Sequence, residues 1–235
     1  NELVNSDLIS NLNAPPDTAL FPEGMRTPWI KPGRSVWSWW SDNVSGFSFD
    51  TQHQYIDLAH QLRAEHQVID AGWESGFPVA GQDAFQRLAA LTAYSRVQWR
   101  DVGLWVWKYW YELVDPASRN DFFARVAAAG AVGVKVDNVY GYQSESFANV
   151  VLQEESLRDS AAHRLMINFH GVAKSTGLQR TYPNEITREG FMGLELNGLA
   201  WDQGLFVEPQ HNAAVPFVRL VAGPGDYTPV TLDPR

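Results

Sequence analysis

The 235-residue chain contains no cysteine, so disulfides, thiolate metal sites and cysteine nucleophiles are out of consideration, and the compartment stays open. Basic residues are scarce: 18 Lys and Arg stand against 27 Asp and Glu. The resulting formal net charge of -9 argues against nucleic acid or an anionic membrane surface as a main partner. No apolar run is long enough to span a bilayer. The N-terminal stretch from Asn1 has neither a basic region nor an apolar core, so no signal peptide is visible. Its lack of a start methionine suggests a mature product or a piece of a longer protein. No Gly-x-Gly-x-x-Gly follows the first strand-like run, which removes the usual support for a dinucleotide site.

Aromatic residues, by contrast, are abundant, with 10 Trp, 8 Tyr and 12 Phe. Such an excess suits a bulky core, the expected fate of most of these rings, or a surface on which the C–H face of a pyranose stacks. Residues 1–34, punctuated by Pro15, Pro16, Pro22, Pro28 and Pro32, read as an irregular lead-in. Strand-like runs follow at Val36–Trp40, Gln67–Gly72, Val102–Trp107, Val132–Asp137 and Leu165–His170. Stretches of helical periodicity separate them at Thr51–Glu65, Ala84–Thr92, 117–129 and Phe147–His163. Thr181–Ile186, Gly193–Leu196 and Val221–Thr228 are shorter candidates for strands six to eight, with a helical run at Asn212–Leu220 before the last. This alternation predicts an α/β chain with a (β/α)8 TIM barrel over residues 35–235 and all chemistry on one rim; a doubly wound open sheet is the alternative. Arg235 comes a few residues after the eighth run, so the last helix of the barrel is expected to be missing.

Within that frame Gly133-Val-Lys-Val-Asp137 is the most informative run. It has the apolar character of a strand buried on both faces, and Lys135 and Asp137, two apart, project to the same side. A Lys–Asp pair at the C-terminal end of a buried strand is expensive to desolvate. Two readings are open: a structural ion pair inside a barrel, or a functional pair on its rim. Asp70, His170, Glu189, Glu195 and Asp226 are the other polar residues at predicted strand ends, with Trp40, Trp73 and Trp107 nearby. Trp37 and Trp105 are expected in the core, and Asp83, Asp101, Asp115 and Asp121 as helix caps or solvated charges. Several carboxylates flanked by aromatics on one rim are what glycoside hydrolysis requires. One carboxyl protonates the departing oxygen, and another attacks the anomeric carbon or activates water there.

Taken in order, a set of motifs resembles the catalytic barrel of the family 97 glycoside hydrolases. They are Lys31-Pro-Gly33 leading into Val36-Trp-Ser-Trp-Trp-Ser41, Ile69-Asp-Ala-Gly-Trp73, Gly133-Val-Lys-Val-Asp137, Asn168-Phe-His-Gly171 and Arg180-Thr-Tyr-Pro-Asn184. Thr187-Arg-Glu-Gly190, Gly193-Leu-Glu195 and Gly223-Pro-Gly-Asp-Tyr-Thr-Pro229 complete the series, which covers about residues 29–229. The resemblance implies an exo-acting α-glycosidase that takes a terminal α-galactoside or α-glucoside from an oligosaccharide, generally with calcium. It also implies a periplasmic or secreted bacterial location. Inverting α-glucosidases of the family carry a glutamate directly after the fifth-strand histidine; Gly171 stands there in this chain, as in the retaining α-galactosidases. By that resemblance Asp137 is the nucleophile, Glu195 the general acid/base and Glu189 a calcium ligand, while Asp70, Trp73, Lys135, His170 and Trp40 contact the terminal sugar. The resemblance also implies flanking β-domains, one of which donates a further glutamate to calcium; these are expected to be missing from this chain, and Asn138-Val-Tyr-Gly-Tyr142 is less polar than the family's segment there, so the calcium site is expected to be incomplete. The alternatives are an inverting α-glucosidase of the same family and a non-catalytic sugar-binding barrel.

Overall fold

In the computed structural model the described residues are residue 2 and residues 5–97, 101–138, 146–199 and 206–228. Six strands, β1 (Ser35–Trp37), β2 (His66–Ile69), β3 (Gly103–Tyr109), β4 (Gly133–Asp137), β5 (Met166–Phe169) and β6 (Glu185–Arg188), form one sheet in sequence order. Every neighbouring pair is parallel. The first four connections each contain a helix: α1 (Phe49–Gln61), α2 (Ala84–Arg96), α3 (Pro116–Ala128) and α4 (Phe147–Ala162). A further helix, α5 (Pro209–Val218), follows β6.

Local chemistry starts each helix where it begins. Ser48, Asp83, Asp115 and Ser146 each accept a backbone N–H of the first turn, and Asp83 and Gln86 form a reciprocal capping box. Pro116 occupies the first turn of α3, where its missing N–H costs nothing. Asp83 and Asp115 are therefore caps, as their spacing before the helical runs predicts.

Period-two alternation divides the core into two layers. Ile69, Leu104, Val134 and Ile167 face outward and are fully buried under Ile56 of α1, Leu88 of α2, Phe123 of α3 and Leu157 of α4. Val68, Trp105 and Met166 face inward and pack together with Trp29 and Trp37. The sheet curls: the Lys31 N–H, just before β1, reaches Met166 Sδ on β5 at 3.3 Å, and Trp37 stands edge-on to His170 with ring centroids 6.3 Å apart. The result is a partial (β/α) barrel. Among its described residues the lead-in holds a one-turn helix, Leu8–Asn11, and a 3-10 turn, Gly24–Arg26; Lys31 meets His66 and Met166 at the starts of β2 and β5, and Phe21 is fully buried and stacked on Trp29 at 6.0 Å.

Two of the eight predicted strands are not strands. Residues 193–195 are coil and turn leading into a one-turn helix, Leu196–Leu199, and residues 221–228 are irregular. The first run is short and begins at Gly193, the second is broken by Gly223 and Gly225, and Pro224 has no N–H for a ladder. The two segments still meet, through the Leu194 N–H donating to the Tyr227 carbonyl at 3.2 Å. They trace the rim as loops.

The curl leaves little room where β3 and β4 face inward. A Cβ on Gly133 would lie 2.4 Å from the Trp105 indole. Gly133→Ala is expected to lower stability by about 1–3 kcal/mol through this overpacking, measured by urea unfolding. An unchanged unfolding midpoint would show that the ring has space to move.

Candidate active site

The C-terminal ends of β1, β2 and β4 converge on one buried ammonium. Lys135 lies on β4 facing inward, and its Nζ is 2.8 Å from Asp70 Oδ2 and 3.1 Å from Asp137 Oδ2. The same Asp70 oxygen accepts the Trp37 indole N–H at 2.6 Å. Lys135 Nζ sits 4.4 Å from the centre of the Trp37 ring, a cation–π contact that adds to the two ion pairs. Asp137 Oδ2 also accepts the Trp107 indole N–H at 3.0 Å, and Oδ1 accepts the backbone N–H of Asn138 at 2.6 Å. Burial pushes the Asp137 carboxyl up, but Lys135 and His170, with the hydrogen bonds from Lys135 and Trp107, outweigh it and hold it below the usual carboxylate range. Lys135, despite complete burial, is held well above the ordinary lysine value by Asp70 and Asp137.

A second cluster lies across the rim. Asp226 Oδ2 pairs with His170 Nε2 at 2.8 Å and accepts the Asn168 side-chain N–H at 2.7 Å. Burial and Lys135 push the His170 imidazole down; the hydrogen bond to Asp226 and the charges of Asp226 and Glu189 reverse this and leave it above its ordinary value. Glu189 Oε2 accepts the backbone N–H of Gly171 at 2.9 Å. Gly171 has a φ of +56°, in the left-handed region that a glutamate would enter only with strain.

Glu195 sits in the turn before the helix Leu196–Leu199. Burial and the neighbouring Glu189 carboxylate push its carboxyl up to about 7, against the opposing pull of His170 and Lys135. Its Oε2 is buried with no hydrogen-bond partner among the described residues. The charges of Lys135 and His170 thus act on both Asp137 and Glu195, but the balance with burial holds the first ionised and favours the protonated form of the second.

Of the residues expected to contact sugar, Asp70, Lys135 and His170 belong to these clusters and Trp73 does not. Trp73 is fully buried in the outer layer, edge-on to Phe77 and Phe85, with its indole N–H on the Trp107 carbonyl at 2.9 Å. The cause is Gly72: its φ of +105° turns the chain off the strand and starts the one-turn helix Trp73–Gly76 beneath the sheet. Trp40 is half-buried in the turn after β1, outside the hydrogen-bonded clusters. Trp37, expected in the core, is the tryptophan that meets Asp70, Lys135 and His170. Asn168, to which the motif alone gives no role, joins the site as well, since its position two residues before His170 places it on the same face of β5.

Among the described residues no group of three or more His, Asp and Glu side chains is placed to hold a metal ion. Calcium takes six to eight oxygen ligands, and Glu189 alone does not fit that requirement.

Carboxylates, a lysine and a histidine gathered at the C-terminal ends of parallel strands are the layout of the functional end of a (β/α)-barrel protein. The particular family follows from sequence comparison. The model of glycoside hydrolase 97 matches residues 29–191, and the chain belongs to that family. A "probable retaining alpha-galactosidase" of Streptomyces bingchenggensis is 33% identical over 209 residues, covering 86% of this chain and 31% of the relative. A "retaining alpha-galactosidase" of Bacteroides thetaiotaomicron is 28% identical over 207 residues, covering 85% and 30%. The chain therefore spans about a third of the length of the curated relatives it matches. The solved structure of a family 97 enzyme from Pseudoalteromonas sp. strain K8 in complex with panose superposes with a TM-score of 0.74 at 28% identity, covering 98% of this chain and 39% of that one.

The Asp226 pairing has a pH signature. Burial opposes ionisation of Asp226, but His170, Asn168 and Lys135 bring its carboxyl down from 3.8 to about 2. With the folded value below the unfolded one, its contribution is complete above the unfolded value and is lost as pH falls towards the folded one. Asp226→Asn is expected to cost about 2 kcal/mol near neutral pH and far less near pH 2, read from urea unfolding at the two pH values. An equal loss at both would remove the carboxylate charge as the cause.

Proposed function

We propose that this chain carries the active site of an exo-acting retaining α-glycosidase, specifically an α-galactosidase, that releases a terminal sugar from an α-linked oligosaccharide by double displacement. The observation that carries the reading is the opposite bias of two carboxyls under the same two cations: Asp137 held ionised and Glu195 raised to about 7. In the first step an Asp137 oxygen attacks the anomeric carbon as the glycosidic bond breaks, and Glu195 gives its proton to the departing oxygen. In the second, Glu195, now a carboxylate, takes a proton from water. The resulting oxygen nucleophile displaces Asp137 from the anomeric carbon and restores both groups. The mechanism requires the two carboxyls to lie about 5–5.5 Å apart.

Asp70, Lys135 and His170 hold the hydroxyls of the terminal sugar in this reading, and Trp37 supplies an apolar wall. Gly171 supports retention over inversion, because a water-activating glutamate there would need the left-handed backbone that glycine adopts at no steric cost. The galactoside preference rests on the two relatives named as retaining α-galactosidases, and an oligosaccharide ligand on the panose complex of the solved relative. The six-stranded sheet is taken, in the same proposal, as part of a (β/α)8 barrel. The family's calcium would need oxygen ligands beyond Glu189, and no step here is routed through it.

Proton NMR of the anomeric signals during hydrolysis of an aryl α-galactoside tests the reading directly. The α-configured sugar is expected to appear first; a β-configured sugar appearing first would mean inversion and overturn Asp137 as nucleophile. Asp137→Ala is expected to lower kcat by roughly four orders of magnitude or more, with partial recovery on an activated aryl glycoside when azide is added. Near-normal turnover by this variant would exclude the assigned role.

A further inference from the structure

We propose that Trp107, Tyr109 and Tyr111 form a ring platform that receives the leaving-group side of an oligosaccharide, a binding subsite adjoining Asp137. The proposal rests on the glycosidase reading above and adds where the remainder of the substrate lies.

The platform begins at the candidate nucleophile. The Trp107 indole N–H is bonded to Asp137 Oδ2 at 3.0 Å, and Tyr109 is the register partner of Asp137 across the β3–β4 pair. Trp107 and Tyr109, two apart on β3, present nearly parallel rings with an interplanar angle of 12° and centroids 6.0 Å apart. Tyr111 follows beyond the strand end, edge-on to Tyr109 with centroids 4.5 Å apart. Tyr109 is half-buried and Tyr111 is 54% exposed, so the row runs from the acid outward into solvent.

The row is mounted rigidly. Lys108, between the two inward-facing rings, points to the outer face and is buried, with its Nζ 2.9 Å from Glu74 and 2.5 Å from Glu112. The same ammonium lies 4.7 Å from the Phe122 ring centre, and Leu113 is fully buried. The 3-10 turn Trp110–Leu113 is thereby fastened to α3 and to the helix Trp73–Gly76, which fixes the backbone that carries Tyr111. Tyrosine rings supply large contact area at low entropic cost, and their faces suit the C–H face of a sugar.

Direction selects the occupant. Asp70, Lys135 and His170, all buried, make the polar, closed end suited to a terminal sugar. The leaving oxygen and everything attached to it must depart from that end. The rings start at Asp137 and lead away, and among the described residues no charged side chain lies between them. That is the chemistry of a platform for a further sugar ring.

The test compares kcat/KM for α-galactosyl fluoride, which has no leaving-group sugar, with kcat/KM for an α-galactosyl-capped trisaccharide. Tyr111→Ala is expected to lower the trisaccharide-to-fluoride ratio about ten-fold, and Tyr111→Phe to restore most of it. A ratio that does not change overturns the platform. If the unaltered protein hydrolyses neither compound, the glycosidase reading fails by itself, and calorimetric titration with the trisaccharide decides the platform. A loss of affinity of about ten-fold on Tyr111→Ala supports it. Unchanged affinity, or no binding by the unaltered protein, overturns it.

Discussion

Lys135 is the residue on which the rest of the site depends. An ammonium removed from water costs several kcal/mol unless it is paired, and this one is buried on the concave face of the sheet. Its partners come from different places in the chain: Asp137 two residues on, and Asp70 from the end of β2. Strands two apart in a flat sheet are about 10 Å apart, so the Asp70 contact needs both the long lysine side chain and the inward curl. Trp37 from β1 completes the surround, donating to Asp70 and lying under the ammonium. One cation thereby ties β1, β2 and β4 together, with β3 between them contributing Trp107.

That arrangement also sorts the acids. Asp137 is half-buried, yet direct contact with Lys135 and hydrogen bonding keep it ionised. Glu195 feels the same cations from a turn where burial and Glu189 dominate, and it moves the other way. Pushing two carboxyls in opposite directions is what allows one to act as a nucleophile and the other as an acid at a single pH. His170 is held by Asp226, and Glu189 by the Gly171 amide, so the second cluster is fixed from loops that follow β5 and β6.

The aromatic wealth of the chain divides by layer. Trp73, Phe77 and Phe123 fill the space between sheet and helices, where their area is removed from water. Trp37 and Trp107 instead use the polar edge of the indole, each donating to a rim carboxylate. An aromatic count cannot separate these fates, because both positions reward a large flat ring.

By itself the sequence determined the alternation of strand and helix from β1 to β6, the helix starts at Asp83 and Asp115, and the projection of Lys135 and Asp137 to one side of β4. These follow from periodicity and capping, which act within a few residues. It also named most of the rim acids, because an acid closing an apolar run is visible locally. The tertiary structure alone decided that Lys135 pairs with Asp70, 65 residues away, and that Trp37 lies in the site while Trp73 lies in the core. It also decided that residues 193–195 and 221–228 are rim loops, one bringing Glu195 beside Glu189 and the other bringing Asp226 to His170 and Asn168. Each of these turns on the curl of the sheet or on a left-handed glycine such as Gly72, and neither leaves a mark in hydrophobic periodicity.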